Sequence, residues 1–355
     1  MPGPTLGRYR LSERLAQGES WELWRGDDIG LGGLVRPVAV ERLAPSLTSD
    51  AQLAADVRRA FVVSQPNLVS VRDAGELDGQ LFVAWEWVDG LTLQTVLERL
   101  AVLQRPLPLR FGLLVTIDAA RGLDEAHRPR DAAGQASDGG SGLVHGDVGP
   151  ERLWISLAGE VKLAGLGFGR ARVVSGRRRW LAPEQARREP DVDGRADVFA
   201  LGATLYELAC GQNPFGRPDG DERERSARLR VGACPPLRSV QPALPAGLEA
   251  IVSRAMAPAR ADRYPSCAQL REDLEALARR EGYALSPADF APFVRELVAT
   301  PVDATPAAPA KRLSGSRAVA TPRAFNAALG GALALLDGGE DAAEENDGAA
   351  RNNSD

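Results

Sequence analysis

Of the 43 basic side chains in this 355-residue chain, only Lys162 and Lys311 are lysines, and the only histidines are His127 and His145. Any step that needs a lysine, to hold a phosphate or to form an imine, must use one of those two. Arginine grips phosphate and carboxylate in a planar fork, but it keeps its proton at neutral pH and is no acid–base group. So few histidines exclude a histidine-rich metal site. Cys210, Cys234 and Cys267 are odd in number and far apart. That predicts neither a disulfide framework nor a metal knuckle and points to a reducing compartment. A net charge of −5 argues against an overall nucleic-acid binder. No apolar run approaches the roughly 20 residues a membrane span needs. The N-terminus lacks the apolar core of a signal peptide, so the expected location is cytoplasmic.

The elements that must position this chemistry fall into two groups. Arg8–Leu15, Trp21–Gly26, Pro37–Leu43 and Leu81–Val88 read as strands, rich in valine and tryptophan. Among them, Ala51–Val63 has helical spacing, with Leu53, Val57 and Ala60 on one face. From Leu91 the period becomes helical: Leu93–Leu103, Leu109–His127, Arg195–Cys210, Leu248–Met256 and Cys267–Arg280. A small strand-rich lobe followed by a larger helical one is an α+β, two-lobe plan. The polar stretch within 128–142 reads as an inserted loop. Ser286 and Pro287 open a short helix carrying Phe290, Phe293 and Leu297. Residues 300–355 have the composition of a disordered tail, with a possible short helix at 324–336.

Several motifs, in order, resemble those of the eukaryotic-like Ser/Thr protein kinases of bacteria. HGDVGPERLWI (145–155) is similar to HRDLKPENVLI, and LAPE (181–184) to MAPE. DVFALGATLYELACGQNPF (197–215) is similar to DVYSLGVVLYELLTGRPPF, and ADRYPSCAQL (261–270) to ADRYPSAAEL. WEWVDGLTL (85–93) is similar to MEYVDGVTL. The resemblance covers residues 8–282 and implies a two-lobe protein-kinase-like fold. It implies a small lobe at 8–88, a larger lobe at 89–282, a leader at 1–7 and a helical extension at 283–299.

Kinase chemistry is mostly positioning and charge neutralisation around a triphosphate, so each charged position can be read separately. In the glycine loop only Gly18 remains, flanked by Ala16 and Trp21, and it equally suits a plain β-turn. VAIK is Val38-Ala39-Val40-Glu41, with an acid in place of the phosphate-holding lysine. The helix position that normally pairs with that lysine is Asp56. Unit charges about 4 Å apart interact by about 4 kcal/mol at an effective dielectric near 20, and lysine to glutamate reverses the sign. His145 and Asp147 remain, and Asp147 is either the catalytic base or an aspartate that caps a loop. Gly146, Gly149 and Arg152 replace the arginine, the phosphate-contacting lysine and the metal-binding asparagine. The metal motif is Gly165-Leu166-Gly167, and glycine has no side-chain oxygen to offer magnesium. Arg177, Arg178 and Arg179 stand in the activation segment, as a solvated basic loop or as a contact for an acidic or phosphorylated partner.

The architectural positions are kept. The resemblance implies a buried ion pair between Glu184 and Arg263, and an anchor for the catalytic loop at Asp197. Ala39 and Leu23 match the adenine wall. Trp85, followed by Glu86, either narrows the rear of that pocket or simply fills core. The expected function is therefore a catalytically impaired pseudokinase, acting as a signalling scaffold or regulator. The expected partner is a protein, an active kinase or its substrate, with no nucleic acid and no membrane span. No metal or cofactor is expected. The alternative is a Ser/Thr protein kinase using Asp147, with Arg152 or Arg42 neutralising phosphate; only then do ATP and magnesium enter. A third possibility is nucleotide binding without catalysis.

Overall fold

The computed structural model describes residues 5–17, 21–47, 50–77, 79–130, 135, 142–168, 180–216 and 222–300. Six antiparallel strands form the first sheet: β1 (Thr5–Leu6), β2 (Tyr9–Gln17), β3 (Trp21–Ile29), β4 (Val35–Leu43), β5 (Val71–Leu77) and β6 (Gln80–Glu86). Their spatial order is β1-β2-β3-β4-β6-β5. Side chains alternate across a pleated strand. In β4, Val38 and Val40 therefore enter a small apolar cluster with Tyr9, Leu11 and Ala84. Ala39 and Glu41 take the other face. The register sets Ala39 opposite Arg25 and Trp85, and Glu41 opposite Leu23 and Val83.

Helix α1 (Ala51–Phe61) crosses between β4 and β5. Its Asp50 cap accepts from the amides of Gln52 and Leu53, and Leu53, Val57 and Ala60 form its buried stripe, as the spacing predicts. A second sheet of β7 (Gly90–Thr92), β8 (Leu153–Ser156) and β9 (Val161–Leu163) opens the helical lobe. That lobe holds α2 (Leu93–Val102), α3 (Leu109–Ala126), α4 (Pro183–Ala186), α5 (Arg195–Cys210), α6 (Glu222–Val231), α7 (Leu237–Val240), α8 (Ala246–Ala255), α9 (Cys267–Arg280) and α10 (Pro287–Ala299). Helix α5 is apolar nearly all round and lies in the core, as such a helix must, and α3 buries most of its length beside it while keeping Arg110 and Arg121 at the surface.

Helix α10 starts where the Ser286 hydroxyl accepts from the Ala288 amide. Phe290 is fully buried and stacks on Phe111 at 4.3 Å between ring centroids. Arg99 donates to the Leu297 carbonyl at 2.7 Å, satisfying one of the orphan acceptors at the end of the helix.

The sequence reading differs from the structure at several places. Thr5–Leu6, read as leader, pair with Tyr9 and Arg10 as an edge strand. Helix α6 was not expected, because its sequence ERERSARLRV is mostly charged. Ala227 and Leu229 are enough to seat it. Strand β5 and the three-stranded sheet are short and were also missed. Most of the inserted loop, the tail from 301 onward and the segment 324–336 lie outside the described residues. Among the described residues, no helix is long and apolar enough to cross a membrane.

The Phe111–Phe290 stack ties the terminal helix to the core. Phe290→Ala should cost about 3–5 kcal/mol, measured as a shift of the urea midpoint at unchanged slope. A loss below about 1 kcal/mol would mean that α10 is only loosely attached.

Candidate functional site

A cleft of about 740 Å³ lies where β2, β3, β4 and β6 face β7, α2 and the loop from Asp147 to Arg152. It is in the size range of small-molecule sites. Ala39 and Leu23 form part of its upper wall, and Trp85 lines the rear. Trp85 is also 4% exposed and packs on Phe168 at 5.5 Å, so it both narrows the cleft and fills the core.

The frame below the cleft is built on Asp197, at the start of α5. Its fully buried carboxylate accepts from the backbone amides of His145 and Gly146, each at 2.8 Å. It also meets His127 Nε2 at 2.8 Å. Burial pushes the Asp197 carboxyl up, but the His127 hydrogen bond, the two histidines and the Gly146 amide outweigh it, and the group lies below its ordinary range. Burial pulls His127 down, yet Asp197 and Cys267 hold it well above its ordinary 6.5. Burial holds His145 below its ordinary value, and its ring meets the Ala164 carbonyl at 3.1 Å.

Glu184 and Arg263 form a second buried anchor, with two parallel contacts of 2.7 and 2.8 Å. Neither side chain is more than 1% exposed. Arg263 also donates to the carbonyls of Ala257, Arg195 and Pro258 and lies over the Phe199 ring. Desolvation is offset here by geometry and by full use of the donors.

The charged positions of the cleft are arranged differently. Arg152 Nε donates to Asp147 Oδ2 at 2.7 Å, so a guanidinium rests on the carboxylate. Burial opposes the charge on Arg152, but Asp147 and Glu41 raise its pKa above the ordinary value. Glu41 lines the cleft and is 1% exposed. Asp56 stays on its own helix, accepting from Gln52 at 3.1 Å and pairing with Arg59 at 3.4 Å. Lys162 Nζ meets Glu86 Oε1 at 2.8 Å, and Ser70 N donates to the other oxygen of Glu86. Burial pushes Glu86 up; Lys162 and Ser70 overcome it and the carboxyl ends lowered. Gly165 lines the cleft with φ +94°, a backbone that side-chain-bearing residues rarely adopt.

Gly149 has a packing reason. A Cβ there would lie 2.7 Å from Cε3 of Trp180, whose indole nitrogen donates to Glu207 at 2.8 Å. Among the described residues lining the cleft, the acids are Glu41, Glu86, Glu98, Asp147 and Glu151, and the base is Arg152. Gly18 and the triplet Arg177, Arg178 and Arg179 lie outside the described residues. Among the described residues, no group of three or more histidine, cysteine or acidic side chains is placed to hold a metal ion.

Three features escaped the sequence reading: the His127–Asp197 contact, the Asp147–Arg152 pair and the fit of Trp180 over Gly149. For the first, a signal existed, since one of only two histidines ends a long apolar helix. The others join residues five and 31 positions apart, and no helical or strand period brings such positions together.

A family model described as "Protein kinase domain" matches residues 40–246. A Myxococcus xanthus protein named tyrosine-protein kinase MasK is 35% identical over 282 residues, covering 76% of this chain and 43% of that protein. The serine/threonine-protein kinase PknB of Mycobacterium tuberculosis is 31% identical over 293 residues, covering 77% of this chain and 43% of that protein. The chain thus spans less than half the length of these relatives. The crystal structure of the Mycobacterium tuberculosis PknI kinase domain matches with a TM-score of 0.58 at 27% identity, covering 78% of this chain and 98% of that one.

Two outcomes follow from the geometry. Because the folded pKa of His127 lies above the unfolded one, its stabilisation is complete below about pH 6.5 and is lost as pH rises through the folded value. The stability deficit of His127→Gln should therefore be largest in acid and shrink with rising pH, followed by urea unfolding across pH. Gly149→Lys should destabilise by about 1–3 kcal/mol through overpacking against Trp180. A double-mutant cycle with Trp180→Ala should show the two changes strongly coupled; additivity would contradict the packing account.

Proposed function

The chain belongs to the protein kinase domain family, and we propose that within it the chain is a catalytically impaired member, a pseudokinase that works by binding another protein. The observation that carries this reading is the Arg152 guanidinium on Asp147, in the same cleft as the buried Glu41. A catalytic base must accept a proton from an incoming hydroxyl within hydrogen-bond reach. Here one oxygen of Asp147 already accepts from a group that never gives up its charge.

The residues present do not fit a magnesium–nucleotide. Magnesium is held through oxygen donors. Arg152 offers none and Gly165 has no side chain. Where the family places a lysine against the phosphates, Glu41 adds a negative charge. The reversed term, about 4 kcal/mol at 4 Å and an effective dielectric near 20, acts against a polyanion. Lys162 makes no repair, since its ammonium is engaged with Glu86. The acid excess among the described lining residues acts in the same direction. The preserved anchors at Asp197 and Glu184–Arg263 keep the two-lobe frame available as a binding module. On this reading the partner is a protein, either an active kinase or its substrate, and the chain serves as scaffold or regulator from the cytoplasm.

A second reading has its own observation. Asp147 still lines the cleft, and the relatives are named as kinases. A Ser/Thr phosphotransferase would need Arg152 to leave Asp147 and neutralise phosphate without the usual metal ligands.

The purified 355-residue chain, incubated with labelled ATP and magnesium or manganese, should transfer no more phosphate than the Asp147→Asn variant. Glu41→Lys alone should not create activity, because Gly165 and Arg152 remain. Metal-dependent transfer that disappears in Asp147→Asn would overturn the proposal in favour of the second reading.

A further inference from the structure

We propose that the chain's own charges brace the two lobes closed, with the Arg152 guanidinium of the large lobe attracting the Glu41 carboxylate of the small lobe across the cleft. The inference deepens the reading above: where no magnesium–nucleotide links the lobes, this attraction does. Glu41 stands on β4, Arg152 closes the turn after Asp147, and both line the one cleft. Glu41 is 1% exposed and the Arg152 side chain 19%. Charges so far withdrawn from water persist only when opposite charge compensates them. Among the described residues lining the cleft, Arg152 is the only base. Its bond to Asp147 is made through Nε, which leaves the terminal amino groups of the fork as further donors. Burial opposes the charge on Arg152; Asp147 first, and Glu41 next, overcome it.

The rear of the cleft is fastened separately. Lys162 on β9 meets Glu86 on β6 at 2.8 Å. The Asn67 side chain donates to the Val161 carbonyl at 2.9 Å. Leu163 N donates to the Asn67 carbonyl at 2.8 Å, and Val69 N to the Leu163 carbonyl at 2.9 Å. Trp85 of the small lobe packs on Phe168 of the large one at 5.5 Å. Gly167 lies so close to α1 that an added Cβ would come 2.9 Å from the Asp56 carbonyl oxygen. A hinge motion about that seam separates β4 from the Asp147–Arg152 loop. Those are the two walls that carry the opposed charges, so their attraction resists opening. The acid at 41 and the base at 152 thereby share one reason, as the two ends of a single link.

The test reads the spacing of the lobes in the 355-residue chain with no nucleotide added. Spin labels are placed by Arg36→Cys and Glu272→Cys, exposed on β4 and α9, in a Cys210→Ser/Cys234→Ser background. Cys267 is fully buried and stays unlabelled. The distance between labels should be longer and more broadly distributed in Arg152→Gln and in Glu41→Gln than in this background. Glu41→Lys should open the lobes further while Arg152 is present, because like charges then face each other. Combined with Arg152→Gln, the same Glu41→Lys should return the spacing toward the unaltered one, since the new charge then faces Asp147 alone. A steric role for Glu41 would make the lysine equally harmful in both backgrounds, and that result would overturn the inference. Urea unfolding is read on every variant. If Glu41→Lys folds only beside Arg152→Gln, the brace is supported; if it folds in neither, Arg152→Gln decides. A distance unaltered in Arg152→Gln and in Glu41→Gln would remove the brace, and the pseudokinase reading would still rest on its own phosphate-transfer assay. Transfer in that assay, beside the expected charge dependence of the spacing, would remove that reading and leave the brace.

Discussion

Three contacts of 2.8 Å converge on the carboxylate of Asp197, from the amides of His145 and Gly146 and from the ring of His127. Because the carboxylate is fully buried, any one of these donors left unmade would carry the desolvation penalty of a charged group. The trio therefore fixes the backbone of the loop at the start of α5, and with it the place of Asp147 on the cleft wall. The turn that follows is closed by Arg152 N on the Gly149 carbonyl, and Ala164 N returns to the Arg152 carbonyl. Glu184 and Arg263 brace the other side of the same loop system through α4. None of these bonds depends on what the cleft holds.

That separation lets the frame and the chemistry diverge. A kinase-family frame normally supplies positive charge and metal ligands to a polyanion. Here the same backbone presents Glu41, an Asp147 already paired with Arg152, and Gly165. The substitutions are also mutually adjusted in space. Arg152 is stabilised by Asp147 and Glu41 together, and Gly149 makes room for Trp180. Restoring one family residue would leave the neighbouring changes in place, so the altered cleft behaves as a unit.

Much of the frame was legible in the sequence, because periodicity and capping are local. The alternation of Val38 and Val40 with Ala39 and Glu41 gives both the strand and its cleft-facing side. The spacing of Leu53, Val57 and Ala60, and the Ser286-Pro287 start, give two helices. Helix α6 was hidden because two apolar residues suffice to seat it, too few to form a pattern. Of the site, the residue identities at 41, 147, 152 and 165 could be read through the family resemblance, but their partners could not. Which side chain Arg152 meets depends on the turn between Gly149 and Arg152. Trp180 reaches Gly149 only because α4 and the loop are locked to the same core. Such contacts belong to tertiary geometry, and composition carries no trace of them.

The central claim is that this cleft no longer handles a magnesium-bound triphosphate. The most direct measurement is the thermal melting of the 355-residue chain with ATP in the presence of Mg²⁺, Mn²⁺ or EDTA. The account predicts no nucleotide-dependent rise in melting temperature under any of the three conditions. A saturable rise that requires the divalent metal would contradict it.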